Sequence, residues 1–223
     1  MLILGIDDAG RGPVIGPMVL AGCLMDKEDE KEFRRLGVKD SKQLTEKRRE
    51  FLADMIREKA ETFEAIIVHP DEIENHNKNG VKLNEVEAFA CAKIINKINK
   101  GYKDIKVIID CPSTSIVKWK EFLESHIENP GNIELSCEHK ADRNHIAVSA
   151  ASIIAKSVRE KEMLRLKEKY GHDMGSGYTS DPTTSQFLKR NVKKLHNEGI
   201  FRKTWSTWKN AMGETEQKKL SEF

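Results

Sequence analysis

Apolar and polar positions change period several times along this chain, and the changes mark out its elements. Residues 2–7 are β-prone and barely alternate before ending at Asp7-Asp8, the pattern of a buried central strand. A Gly/Pro-rich stretch from Gly10 to Pro17 separates them from a second apolar run at 18–25. The charged stretch 27–35 reads as a short exposed helix. Thr45 suits the N-cap of a helix running to about residue 60, with Glu46 in its first turn. Residues 63–68 predict another strand, closed by Pro70. Val86, Phe89, Ala90, Ile94, Ile95 and Ile98 follow helical spacing behind a candidate cap at Asn84. Residues 105–109 predict a strand that runs into Asp110, residues 116–126 look helical, and residues 133–137 alternate as one more strand.

From Ala147 a run of small residues enters a long helix that turns highly charged by residue 160. Small side chains permit close backbone packing, so its first half is expected to be central and buried. Residues 170–183 hold three glycines and a proline and predict a loop. A second helix is expected from about 184 to 197, and the chain beyond Trp208 reads as a polar tail. Strands interleaved with helices predict an α/β fold with a helical C-terminal part.

At 223 residues the chain is long enough to bury a core without staples. Its charged fraction of 33% exceeds the usual quarter, yet the formal net charge is only +2. The local distribution says more. Between Lys189 and Lys209 there are seven Lys or Arg residues against one acid, Glu198. Such a patch can bind phosphates on a near-neutral protein, and it also fits a solvated helix face. Cys23, Cys91, Cys111 and Cys137 form no CxxC pair and have no His at zinc-ligand spacing. They imply a reduced, intracellular protein, and Cys23, Cys91 and Cys137 read as core. No apolar run approaches the ~18 residues of a membrane span, so a cytosolic protein is expected, and a monomer is expected because the exposed apolar candidates lie in the tail.

Three places put a carboxylate at the end of an apolar run: Asp7-Asp8, Asp110 and Asp142. The first two end predicted strands, and the crevice outside strand carboxyl ends is where open α/β sheets bind ligands. Converging carboxylates repel one another, and a divalent cation removes the conflict. Oxygen-only ligands suit Mg2+ or Mn2+. Two such ions ~3.5–4 Å apart would activate a water and stabilise the leaving oxygen of a phosphodiester. Singly, each of these Asp residues also fits a turn cap. Gly10-Arg11-Gly12-Pro13 follows the paired acids directly. Its glycines allow close backbone approach, so its amides can face phosphate or hydroxyl oxygens; a plain tight turn is the competing reading.

Jointly these segments resemble a known family. Gly5-Ile6-Asp7-Asp8-Ala9-Gly10-Arg11-Gly12-Pro13 resembles the opening signature of type 2 ribonuclease H. Asp40-Ser41-Lys42-Gln43-Leu44, Asp110 after its strand, Lys140-Ala141-Asp142 with the helix from Val148 to Lys156, Gly175-Ser176-Gly177-Tyr178-Thr179-Ser180-Asp181-Pro182 and Arg202-Lys203-Thr204-Trp205, with Thr for the family's Ser, follow in the family's order. The resemblance implies a ribonuclease H-like mixed sheet flanked by helices, with a catalytic domain over 1–183. A substrate-gripping helical region would span 184–210, and a polar tail 211–223. It implies Asp7, Asp8, Asp110 and Asp142 as ligands of the two ions. Gly10, Arg11 and Gly12 would face the ribonucleotide 2′-hydroxyl through the backbone, Tyr178 would lie against the sugar beside the scissile phosphate, and Lys42 would contact a phosphate. The expected activity is cleavage 5′ of ribonucleotides in RNA–DNA hybrids or duplex DNA, leaving a 5′-phosphate and a 3′-hydroxyl. The family has Glu where this chain has Asp8, a carboxylate one methylene shorter. A hybrid-binding module with weak or no catalysis is therefore the alternative; a nuclease of another specificity and a phosphatase fit the motifs less well. Finally, Gln217, Leu220 and Phe223 have the spacing of the peptide by which replication proteins bind the sliding clamp, although a frayed tail also fits.

Overall fold

The computed structural model describes residues 2–39 and 44–220, with side chains as far as residue 213. Lys42 and Phe223, and the side chains of Gln217 and Leu220, lie outside the described residues. The chain divides into two compact units.

The first unit comprises Met1–Ala9, Val19–Ile67 and Leu83–Val158. It is built on a five-stranded mixed sheet of order β3-β2-β1-β4-β5. The strands are β1 (Leu2–Ala9), β2 (Met18–Met25), β3 (Thr62–Val68), β4 (Ile105–Asp110) and β5 (Ile133–Glu138). β1 pairs antiparallel with β2, from Ile3 opposite Met25 to Ala9 opposite Val19. It pairs parallel with β4, which in turn pairs parallel with β5. The central position of β1 explains its apolar run: Leu4 and Ile6 are fully buried. The parallel β1–β4 pairing also brings Asp7-Asp8 and Asp110 to the same end of the sheet.

Helices cover both faces. On one, α1 (Lys27–Leu36), α2 (Glu46–Lys59) and the first half of α7 (Ile146–Tyr170) pack on β1 and β2. Phe33, Leu52, Ile56, Ala147, Ala151 and Ile154 form that core with Val19, Ala21 and Cys23. On the other face lie α4 (Leu83–Ile98) and α5 (Ile116–Glu124). The small-residue run of α7 is explained at Gly5, where a Cβ would lie 2.1 Å from the carbonyl carbon of Ala147. Helix backbone and strand backbone are in direct contact there, which no side chain on the strand would permit. A four-residue helix, α6 (Ala141–Asn144), precedes α7.

The second unit comprises Gly10–Met18, Val68–Lys82 and Arg159–Phe223. It contains α3 (Pro70–Lys78), the later part of α7, α8 (Pro182–Asn191) and α9 (Ser206–Leu220). Its core gathers Val14, Ile15, Met163, Met174, Phe187, Val192, Ile200 and Phe201, and Trp205 and Trp208 pack against it.

Four sequence expectations change. Pro70 opens α3 rather than only ending a strand, because its fixed φ and missing N–H suit a first helical turn. Asn84 lies within the first turn of α4, not before it, and its carbonyl accepts a 2.7 Å bond from the Trp119 indole. α8 ends at Asn191, six residues before the expected 197, and turns follow. The stretch beyond Trp208 is part of α9, anchored through buried Ala211. All four cysteines are buried and free. Among the described residues, no helix is long and apolar enough to cross a membrane.

The Gly5 contact gives a direct test. Gly5→Ala should cost about 1–3 kcal/mol or more in chemical denaturation, as overpacking does. Gly131→Ala, where nothing lies within 4 Å of the added carbon, should be near neutral. Equal stability of the two variants would contradict the strand–helix contact.

Candidate functional site

The carboxylate cluster is assembled from three elements of the first unit. Asp7 sits near the end of β1, Asp110 ends β4, and Asp142 lies in α6. One carboxylate oxygen from each lies within 4.8 Å of the others. The chain reaches this arrangement through Lys140, which adopts the left-handed conformation (φ 60°, ψ 35°). It is the described non-glycine residue with positive φ, an uncommon state that reverses the chain after β5. The Ala141 amide then donates to Asp110 Oδ1 at 3.1 Å, fixing that carboxylate.

Electrostatics make the cluster costly by itself. Asp7 is 6% exposed and Asp142 3%. Burial, and then the charges of Asp8 and Asp110, push the Asp7 carboxyl well above the usual carboxylate range. Hydrogen bonds from the Ser152 hydroxyl and from the Asp8 amide (2.8 Å) oppose the shift without cancelling it. Close carboxylate oxygens with a desolvated member are the donor set of a hard divalent cation, so these residues fit such an ion.

Asp8 falls outside the 4.8 Å group. Successive strand side chains point to opposite faces, and Asp7 faces α7 through Ser152. Asp8 instead lines a small recess with Asp7, Glu87, Cys91, Asp110 and Trp119. Glu87 is 1% exposed. Its place on the apolar stripe of α4, next to Val86 and Ala90, hides it in the sequence; an acid at a helical core position is the available signal.

In the second unit the Gly10–Gly12 loop is held from behind by Arg202, which is fully buried. Its guanidinium donates to the carbonyls of Arg11 (2.6 Å), Gly10 (2.5 Å) and Gly16 (3.1 Å). The Trp205 indole donates to the Gly12 carbonyl at 3.2 Å. There are no cis peptide bonds among the described residues, and in a trans peptide the N–H points opposite to the preceding C=O. Anchoring the Gly10 and Arg11 carbonyls on Arg202 therefore directs the Arg11 and Gly12 amides away from it. Arg202 belongs to the basic run between Lys189 and Lys209, but it serves this loop from inside and leaves the surface charge to its neighbours.

Tyr178 is brought beside this loop: a Cβ on Gly12 would lie 3.9 Å from Tyr178 Cε1. The Gly177 carbonyl accepts from Val14 N (2.9 Å) and Ile15 N (3.3 Å). Asp181 and Thr184 stitch the same turn, Asp181 through the Ser176 amide at 2.7 Å and Thr184 through the Gly177 amide at 2.9 Å. Hydrogen bonds from Ser176, and then from Thr183 and Thr184, hold the Asp181 carboxyl well below its usual range. Asp181 falls within the loop motif of the sequence, whereas Thr184 is legible there only as a polar residue at the start of α8.

A carboxylate cluster at the end of a mixed sheet fits a divalent-metal-dependent hydrolase of the ribonuclease H type. A family model for ribonuclease HII matches residues 4–208, and the chain belongs to that family. A ribonuclease HII from Methanocaldococcus jannaschii is 41% identical over 231 residues, covering 99% of each chain. One from Methanococcus maripaludis strain C7 is 40% identical, covering 100% of this chain and 92% of the relative. Among solved structures, ribonuclease H2 from Pyrococcus horikoshii superposes with a TM-score of 0.84 at 34% identity, covering 96% of this chain and 98% of that one. The ribonuclease HII of Archaeoglobus fulgidus, solved in complex with PCNA, gives 0.81 at 38% identity, covering 92% and 96%.

The raised Asp7 predicts a pH dependence. Folded protein keeps a proton there that the unfolded chain releases in the usual carboxylate range. Stability at this site therefore falls as pH rises from that range toward the folded value. In chelator at pH 7, Asp7→Asn should raise Tm by roughly 2–4 °C per kcal/mol relieved, and the gain should shrink toward pH 4. Magnesium should raise the Tm of the wild type and not of the variant. A variant less stable than wild type in chelator at pH 7 would contradict the electrostatic account.

Proposed function

We propose that the chain is an endoribonuclease that hydrolyses the phosphodiester 5′ of ribonucleotides in RNA–DNA hybrids or duplex DNA, leaving a 5′-phosphate and a 3′-hydroxyl. The observation that carries the reading is the convergence of Asp7, Asp110 and Asp142 within 4.8 Å, in a chain of the ribonuclease HII family. Asp7, Asp110 and Asp142 hold Mg2+ or Mn2+, with Asp8 completing the set for a second ion from the adjoining recess. Two ions bound there supply an activated water and stabilise the leaving oxygen. The Arg11 and Gly12 amides, with Gly10 giving the loop its turn, address the 2′-hydroxyl, the group that separates RNA from DNA. Tyr178, 40% exposed, packs on the sugar beside the scissile phosphate. Lys42 contacts a phosphate, and Lys189, Lys193 and Lys194 attract the duplex backbone through counterion release.

The position of Asp8 outside the three-carboxylate group favours a second reading, a hybrid-binding module with weak catalysis. One assay separates the two. A labelled DNA duplex carrying one ribonucleotide should be cut on its 5′ side in Mg2+ or Mn2+, and an all-DNA control should stay intact. Asp110→Asn and Asp142→Asn should each lose more than ~100-fold, beyond what outer-shell changes cost at metal sites. Binding with no cutting in either metal, restored by Asp8→Glu, would establish the second reading.

The sliding clamp is the proposed partner of Gln217, Leu220 and Phe223. Support comes from their spacing and from the Archaeoglobus relative solved with PCNA. Deleting residues 217–223 should abolish capture by the clamp and leave cleavage unchanged. Undiminished capture would show that the tail is not the clamp-binding segment.

A further inference from the structure

The Gly10–Gly12 loop and the Gly175–Tyr178 turn are far apart in sequence, and one side chain outside every recognised motif position ties them together. Arg159, in α7, is 8% exposed. Its Nε donates to the Pro17 carbonyl at 3.2 Å, and its Nη2 donates to the Ser176 carbonyl at 3.3 Å. Its guanidinium carbon stands over the Tyr178 ring, 5.2 Å from the centroid. At Gly10, with φ of 80°, a Cβ would lie 2.1 Å from Arg159 Nε. Gly10 is thus a glycine twice over, for its left-handed backbone and for the guanidinium that fills the space beside it. Arg202 touches the Gly10–Gly16 side and Trp205; Arg159 touches both the loop and the turn.

The geometry suits a guanidinium specifically. A planar fork can serve two carbonyls in fixed directions while stacking on an aromatic face; an ammonium cannot do all three. The Tyr178 ring is backed by the cation, and the residue as a whole remains 40% exposed. It is held, yet available to a ligand.

We propose that Arg159 is a positioning residue that fixes the spacing between Tyr178 and the Gly10–Gly12 loop, and so sets discrimination for a sugar bearing a 2′-hydroxyl. The inference rests on the function proposed above. Discrimination here depends on two loops being in register, and a loose frame would accept the sugar without holding it.

The test is a double-mutant cycle with R159K and Y178A, measuring kcat and KM on the duplex with one ribonucleotide, with Tm recorded for each protein. R159K should lower kcat/KM by ~10-fold or more in the wild-type background and by under ~3-fold in the Y178A background, because the two groups act as one unit. The metal concentration for half-maximal rate should not move, which separates positioning of the reading loop from damage to the carboxylates. Wild-type kcat/KM in R159K, or an equal loss in both backgrounds, would overturn the proposal. Should R159K not fold, R159Q, which keeps a planar donor, replaces it in the same cycle with the same criteria. A wild-type protein that cuts no ribonucleotide-bearing duplex overturns the proposed function and this inference together. A wild type that cuts, with R159K equal to it, overturns only the inference.

Discussion

Asp7 is a carboxylate in a place where a carboxylate is unwelcome. It is buried near the end of the central strand, with Asp8, Asp110 and Asp142 around it, and both burial and like charge raise its proton affinity. Much of the first unit serves to keep it there. β1 is central and paired on both sides, Gly5 lets α7 lie against its backbone, and the left-handed turn at Lys140 delivers Asp142 to the same point. A fold that spends stability on a repulsive cluster is understandable when a divalent cation relieves the repulsion. The ribonuclease HII family to which the chain belongs uses that chemistry.

The second unit solves a different problem, holding glycine-rich backbone still. Gly10, Gly175 and Gly177 all have positive φ, and flexible peptide loses much entropy when ordered. Two inward-facing guanidiniums, Arg159 and Arg202, offset that cost by engaging carbonyls from the loops. Asp181 and Thr184 do the same by accepting amides. Loops held this way keep their polar backbone groups aimed in fixed directions before any ligand arrives.

Much of this was legible in the sequence, for physical reasons. Strand-end acids stand out because an apolar run that stops at Asp7-Asp8 or Asp110 sets a carboxylate where a sheet opens onto its ligand crevice. The small-residue run from Ala147 announced close packing, and Gly5 shows the contact it serves. Trp205 and Trp208 are partly buried and pack against the core of the second unit. What stayed hidden depends on where a side chain points. A polar residue on an apolar helical stripe, such as Glu87, and an arginine in a charged run, such as Arg202 or Arg159, look like surface until the tertiary contacts are known. Asp8 illustrates the same limit: adjacency to Asp7 in sequence becomes opposition across a strand. α3 and α9 are hidden because their patterns are polar and their anchoring comes from a first-turn proline and from a single buried alanine with partly buried neighbours.

On this reading the three converging carboxylates form a divalent-cation site. Titrating the full chain with Mn2+ and following free ion by electron paramagnetic resonance tests that without reference to substrate. Saturable binding is expected for the wild type, lost or greatly weakened in Asp142→Asn, with the variant's fold intact by circular dichroism. Equal binding by both proteins would contradict the assignment and place any metal elsewhere.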